Sequence, residues 1–139
     1  MRATPDLLLL PGLLCDTRLW RDQMAGLADL ARCHVAETTL DDALPAMAAR
    51  ALAAAPERFA LAALSMGGYL AFEILRQAPG RVTRLALLDT SARPDTPEQA
   101  RRRRGLMALT RSGQFRGVRH GCCPNSSTPT TSPGRSGPR

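Results

Sequence analysis

The 139-residue sequence contains no lysine and only two histidines, and aromatic residues make up 4% of it. Its four cysteines have no Cys-x-x-Cys spacing, and its two histidines do not have the spacing of a zinc-binding pair. We therefore expect no metal, no cofactor and reduced thiols, as in a cytoplasmic protein. The cysteines are Cys15, Cys33, Cys122 and Cys123.

Long hydrophobic runs are also missing. The leucine run at residues 7–10 is stopped by Pro11 and Gly12, and no stretch approaches the roughly 20 apolar residues of a membrane helix. This pattern predicts neither a signal peptide nor a membrane partner. The chain is long enough for one domain with a hydrophobic core.

The net charge of +7 is unevenly distributed. Residues 1–92 carry nine arginines against ten acidic residues, and residues 93–139 carry ten arginines against two. Because the part that resembles a folded domain is nearly neutral, we expect no nucleic-acid partner. Association of nucleic acid with residues 93–139 is the alternative.

Short apolar runs alternate with helical patterns along residues 7–89. Such alternation predicts an α/β fold, with a parallel sheet of about four strands and helices on both faces. Ligands of such sheets bind beyond the carboxyl ends of the strands. The predicted strands are 7–10, 32–39, 59–64 and 84–89, and the predicted helices are 20–31, 44–55 and 69–78.

A single serine stands at the turn between the third strand and the helix after it. Ala63, Ser65 and Gly67 have the small-x-Ser-x-Gly spacing of a nucleophile elbow, with alanine in place of the usual first glycine. The spacing needs small residues because strand and helix pass closely there. The backbone N–H of Met66 would lie at a helix N-terminus, where it can stabilise negative charge. The alternative is a serine that only caps the helix.

The composition changes after Ala92. Thr96 and Gln99 form a capping-box pattern that predicts a helix to about residue 109 or 111. The arginine run 101–104 is typical of a solvated helix face, and the alternative is a nucleic-acid patch. Residues 120–139 contain no aliphatic or aromatic side chain except cysteine and proline, so we expect disorder over 119–139.

Together, the elbow and the alternating strands resemble the α/β-hydrolase superfamily over about residues 5–118. Residues 10–16 with 19–23 are similar to that family's oxyanion loop and first helix, and residues 65–68 are similar to its nucleophile turn. The resemblance implies a serine hydrolase that hydrolyses a carboxylic ester through an acyl-enzyme. Ser65 would be the nucleophile, and the backbone N–H groups of Leu13 and Met66 would form the oxyanion hole. The partner would be a small acyl substrate.

The sequence departs from the family's pattern in the catalytic acid and histidine. His34 precedes the elbow and is better interpreted as a structural histidine. Ser65, Asp89 and His120 have the family's chain order, but His120 begins the tail that we expect to be disordered. We therefore expect the activity to be impaired, and a non-catalytic ligand-binding α/β fragment is the alternative function.

The predicted organisation has three parts: residues 1–92 as the N-terminal part of the hydrolase core, 93–118 as the start of a lid, and 119–139 as a disordered tail. The family-like pattern stops near Val118, where an Arg, Ser, Pro, Gly and Thr tail follows. We interpret the chain as a C-terminally truncated hydrolase with a foreign or frame-shifted end. Without further strands, residues 85–88 would form an exposed sheet edge, through which we expect self-association.

Resequencing the coding region tests this interpretation of the tail. We expect the hydrolase pattern to continue after residue 118 in another frame, with further strands and a late histidine. An unbroken reading frame that stops cleanly after Arg139 would contradict this interpretation.

Overall fold

A computed structural model describes residues 4–113. They form two compact units that divide between Pro94 and Asp95. The first unit contains four strands, three α-helices and two short 3-10 helices. In chain order these are β1 (Asp6–Leu10), a 3-10 helix (Thr17–Trp20), α1 (Arg21–Gly26), β2 (Arg32–Val35), α2 (Leu44–Ala54), β3 (Phe59–Leu64), α3 (Met66–Gln77), a 3-10 helix (Pro79–Arg81) and β4 (Val82–Leu88).

All four strands lie in one parallel sheet in the order β2-β1-β3-β4. The predicted α/β class and the four-strand parallel sheet are confirmed. Since every strand points the same way, the residues that follow β1, β3 and β4 meet at one edge of the sheet. This places Pro11, Ser65 and Asp89 at the carboxyl ends of adjacent strands.

Two predicted elements are shorter in the structure. β2 ends at Val35 instead of residue 39, because the Glu37 carboxylate accepts the backbone N–H of Thr39 at 2.7 Å and turns the chain. α1 ends at Gly26 instead of residue 31, because Leu27 starts a turn in which its carbonyl accepts the Leu30 N–H at 2.9 Å. In both places local hydrogen bonds replace the regular hydrogen bonds of the strand or helix.

The core lies between the sheet and the helices α2 and α3, which contact each other. Alternate residues of β3 point into it, and Phe59, Leu61 and Ala63 are at most 1% exposed. β1 is buried on both faces, since Leu8, Leu9 and Leu10 are all at most 3% exposed. A buried, continuous leucine run in a central parallel strand explains the apolar sequence of β1.

The second unit contains α4 (Pro97–Arg111). Its predicted capping box is present: the Thr96 hydroxyl accepts the Gln99 N–H at 3.2 Å, and the Gln99 side chain accepts the Thr96 N–H at 2.8 Å. The arginines 101–104 are exposed, and Arg103 pairs with Asp95 at 2.7 Å. The run is therefore part of a solvated helix, whereas the predicted disorder of 119–139 lies outside the described residues.

No helix within residues 4–113 is both long and apolar enough to cross a bilayer.

A carboxylate on α3 makes folding sensitive to acid. Glu73 accepts hydrogen bonds from Arg76 at 2.6 Å and from Gln77 at 2.8 Å, and Gln77 also donates to the α2 carbonyl of Pro45 at 3.0 Å. The Arg76 bond, then the Gln77 bond, lowers the pKa of Glu73 from 4.5 to about 2. Its contribution is therefore present above its unfolded pKa and is lost as the pH falls through the folded value.

We expect Glu73→Gln to narrow the difference in melting temperature between about pH 5 and about pH 2, because the variant has no carboxylate to protonate. Differential scanning calorimetry of the full chain measures this. Glu98→Gln in the first turn of α4 is the control for losing one carboxylate. An equal acid dependence in Glu73→Gln and the unmutated chain would contradict the prediction.

Candidate active site

Ser65 lies between β3 and α3 in a backbone conformation that non-glycine residues rarely adopt, with φ 50° and ψ −111°. Such a conformation costs about 1–3 kcal/mol and persists only where its surroundings impose it. Its N–H donates to the Leu88 carbonyl at 3.0 Å, and its carbonyl accepts the Gly68 N–H at 3.0 Å and the Thr90 hydroxyl at 2.7 Å. Bonds from two elements therefore hold the turn in place.

Small residues flank the serine because the chain passes close to β1. A Cβ atom at Gly67 would lie 2.5 Å from the Leu10 carbonyl oxygen and 2.9 Å from its Cβ, so no side chain fits there. Ala63 is fully buried in the core, and its methyl group is accommodated. At Gly67 the small residue therefore has a steric basis in the fold, and the need for a small residue at position 63 stays a prediction.

The loop after β1 reaches the serine. A Cβ atom at Gly12 would lie 3.7 Å from both the Ser65 Cβ and the Leu64 carbonyl oxygen. The loop turns tightly here, since the Cys15 N–H donates to the Gly12 carbonyl at 3.2 Å and Leu14 has a φ of 60°. Leu13 is the second residue of this turn and directly follows Gly12, the residue that lies against the serine.

A cavity of about 410 Å³ opens beside this loop. Of its eight lining residues, four are leucines or methionines, one is a cysteine, and three are polar residues from the loops after β1 and β2. Both predicted oxyanion residues, Leu13 and Met66, line it together with Leu14, Cys15, Asp16, Thr38, Thr39 and Met47. The arrangement suits a small ligand with an apolar part.

Two carboxylates near the cavity are bound to local partners. The Arg18 side chain, then its backbone N–H, lowers the pKa of Asp16 below the ordinary value. The Thr39 hydroxyl, then its backbone N–H, lowers the pKa of Glu37. Lower pKa values make both groups weaker bases. Among residues 4–113, no three His, Cys, Asp or Glu side chains cluster as metal ligands.

No protein-family model and no curated protein matches the chain. Among solved structures it is similar to a thermophilic esterase from Thermogutta terrifontis, with 32% identity and a TM-score of 0.64 over 78% of this chain and 46% of that one. It is also similar to a deformylase from Pseudomonas putida S16, with 25% identity and a TM-score of 0.55 over 77% of this chain and 49% of that one.

A putative ancestral haloalkane dehalogenase shares the fold, with 22% identity and a TM-score of 0.58 over 79% of this chain and 48% of that one. These enzymes have the α/β-hydrolase fold. The chain has part of an α/β-hydrolase fold. It spans under half the length of the three solved structures to which it is similar.

His34, the histidine within residues 4–113, lies away from Ser65. His34 Nε2 is 2.9 Å from Asp6 Oδ1, and the Arg32 guanidinium binds the same carboxylate at 2.8 Å. The Arg32 bond, then the His34 bond, lowers the pKa of Asp6. His34 is level with Leu61 across the sheet, about 13 Å along the strands from Ser65. It is therefore a structural histidine, as its sequence position indicates.

Besides Ser65, the triad suggested by the sequence contains Asp89 and His120. Leu88 is level with Leu64, so Asp89 and Ser65 follow paired residues at the same end of the sheet. Asp89 also has a positive φ of 43°. His120 lies outside the described residues. A triad of Ser65, Asp89 and His120 therefore stays a prediction.

The sequence reasoning missed the residue that secures the elbow. Besides its bond to the Ser65 carbonyl, Thr90 packs so closely on α3 that a Cβ atom at Gly68 would overlap its side chain. The glycine pair after the serine therefore has two separate roles, since Gly67 faces β1 and Gly68 faces Thr90. A hydroxyl residue two positions after the strand that follows the elbow was the available signal.

We expect Gly67→Ala to lower the free energy of unfolding by about 1–3 kcal/mol, the usual cost of overfilling a packed site, because its methyl would meet the Leu10 backbone. Denaturant unfolding of the full chain measures this. Gly26→Ala is the matched control, since no atom lies within 4 Å of a Cβ there. Equal effects of the two substitutions would contradict the prediction.

Proposed function

We propose that this chain carries the nucleophile and oxyanion site of a serine hydrolase that acts on a small carboxylic ester. The observation that carries the proposal is the strained backbone of Ser65 at the apex between β3 and α3. A serine in a helix or cap would avoid this conformation, whereas a nucleophile elbow needs it to present the hydroxyl at the end of the sheet.

The oxyanion hole would consist of the backbone N–H groups of Leu13 and Met66. Met66 is the first residue of α3, so its N–H has no carbonyl partner within the helix and lies at the positive end of the helix dipole. Leu13 follows Gly12, which lies against the serine. Both residues line the same cavity, which supports an oxyanion site formed by their two N–H groups.

The proposed reaction begins when Ser65 Oγ attacks the carbonyl carbon of the ester. The carbonyl oxygen becomes an oxyanion held by the two N–H groups, and a base takes the proton of the serine hydroxyl. The C–O bond to the alcohol then breaks, and the alcohol leaves with that proton. Water hydrolyses the acyl-enzyme, which releases the carboxylic acid and restores the serine hydroxyl. The apolar lining from Leu13, Leu14, Met47 and Met66 supports an apolar group on the substrate. Similarity to a thermophilic esterase supports an ester as the substrate class.

We also propose that turnover by the chain is slow. Ser65 needs a base to remove its proton, and within residues 4–113 the one imidazole, His34, is bound to Asp6 far from the serine. Oxyanion stabilisation without a complete triad retains on the order of 10³-fold catalysis over water. The same observation favours the second candidate function, which is ligand binding in the cavity without catalysis.

Chemical rescue by imidazole tests the proposal. We expect the full chain to hydrolyse p-nitrophenyl butyrate slowly, and added imidazole to raise the rate because it supplies the missing base. Ser65→Ala should lose both the basal rate and the protein-dependent part of the rescue. Ser91→Ala, an exposed serine that accepts the Arg93 N–H, is the matched control and should keep both.

The outcomes separate the two candidate functions. Equal rates for Ser65→Ala and the unmutated chain would contradict a nucleophilic Ser65. Ester-dependent thermal stabilisation without hydrolysis would favour the binding function. Strong labelling of Ser65 by a fluorophosphonate in the absence of imidazole would show that the chain contains its own base.

A further inference from the structure

β4 is an edge strand that is exposed on both faces as well as along its free edge. It lies at one end of the sheet and pairs only with β3 within the described residues. Leu85, Leu87 and Leu88 are 42%, 41% and 41% exposed, and they point alternately to the two faces. The opposite edge strand, β2, is shorter and carries the ion pair between Arg32 and Asp6. Within the described residues, the segment 84–88 of β4 carries one charged residue, Arg84, and is otherwise apolar, so little opposes its pairing with another strand.

The hydrogen bonds show which backbone groups of β4 are directed outward. The Leu88 carbonyl accepts the Ser65 N–H at 3.0 Å, so the backbone groups of Leu88 point towards β3. Because these groups alternate along a strand, those of Ala86 and Arg84 also point towards β3. The N–H and C=O groups of Leu85 and Leu87 therefore point away from the sheet. The ladder between β3 and β4 is irregular around Thr83, so the regular segment is residues 84–88.

We propose that β4 pairs with β4 of a second copy of this chain, antiparallel and with Ala86 opposite Ala86. In this register Leu85 of each copy pairs with Leu87 of the other copy. The pairing uses the N–H and C=O groups of both leucines, which are the four outward-pointing groups of each regular segment. The inference does not depend on the proposed enzymatic function.

The side chains fit this register. Ala86 lies on the two-fold axis in a non-hydrogen-bonded pair, where the Cα atoms approach to about 4.5 Å, and a methyl group suits that distance. Leu85 and Leu87 of both copies meet on one face and form a cluster of four leucines. Arg84 lies opposite Leu88, and the two Arg84 residues are about 13 Å apart along the strands, so like charges are not opposed.

Charge substitutions at the two paired leucines test both the interface and its register. We expect the full chain to be a dimer by light scattering, and Leu85→Lys with Leu87→Lys to make it a monomer because lysines would face lysines. Leu85→Lys with Leu87→Glu should restore the dimer, since each lysine then faces a glutamate of the other copy. Leu44→Lys, at a leucine 38% exposed on α2, is the control and should stay dimeric.

A disulfide gives a second readout that does not depend on changing the leucines. Ala86→Cys should form a covalent dimer under mild oxidation, because its Cα separation suits a disulfide, and Leu88→Cys should not. The chain without an added cysteine measures any cross-linking through its own thiols. A monomeric full chain, or a dimer that both double variants leave intact, would overturn the proposal. Circular dichroism confirms that each variant is folded.

Discussion

The candidate site depends on one close contact between β1 and the start of α3. Gly67 lies so near the Leu10 backbone that only a hydrogen atom fits between them. This contact lets α3 begin directly after Ser65 while the serine keeps its positive φ. The strain is offset by the packing of α3 on the sheet and by the hydrogen bonds from Gly68 and Thr90 to the Ser65 carbonyl.

Two groups of polar residues lie towards opposite ends of the sheet. At the carboxyl ends of the strands, Ser65 lies against the loop at Gly12, and its neighbour Met66 lines a cavity together with Leu13. Towards the amino ends, Asp6 binds both Arg32 and His34 and joins β1 to β2. Since a parallel sheet cannot bring these ends together, His34 contributes to holding the edge strand and cannot act on the serine.

Sequence patterns predicted the fold in outline because its determinants are local. Short apolar runs predicted the strands, with Pro11 and Gly12 marking the end of the first, and the capping residues Thr96 and Gln99 predicted α4. The extents of α1 and β2 were wrong, because turns at Leu27 and Glu37 depend on hydrogen bonds that periodicity does not reveal. The roles of Gly12 and Thr90 were also missed, since each contacts a segment far away in the chain.

By itself, the sequence determined the α/β alternation, the position of the serine at a strand-to-helix turn and the small residues around it, because spacing within one segment is enough to specify each. Tertiary structure alone decided which distant residues meet this turn. The loop at Gly12 and the hydroxyl of Thr90 reach Ser65, and the carbonyl of Leu10 reaches Gly67, only after three parallel strands have paired in register. The same pairing leaves the outer edge of β4 without a strand partner from residues 4–113, because strand order is a property of the sheet and not of any one segment.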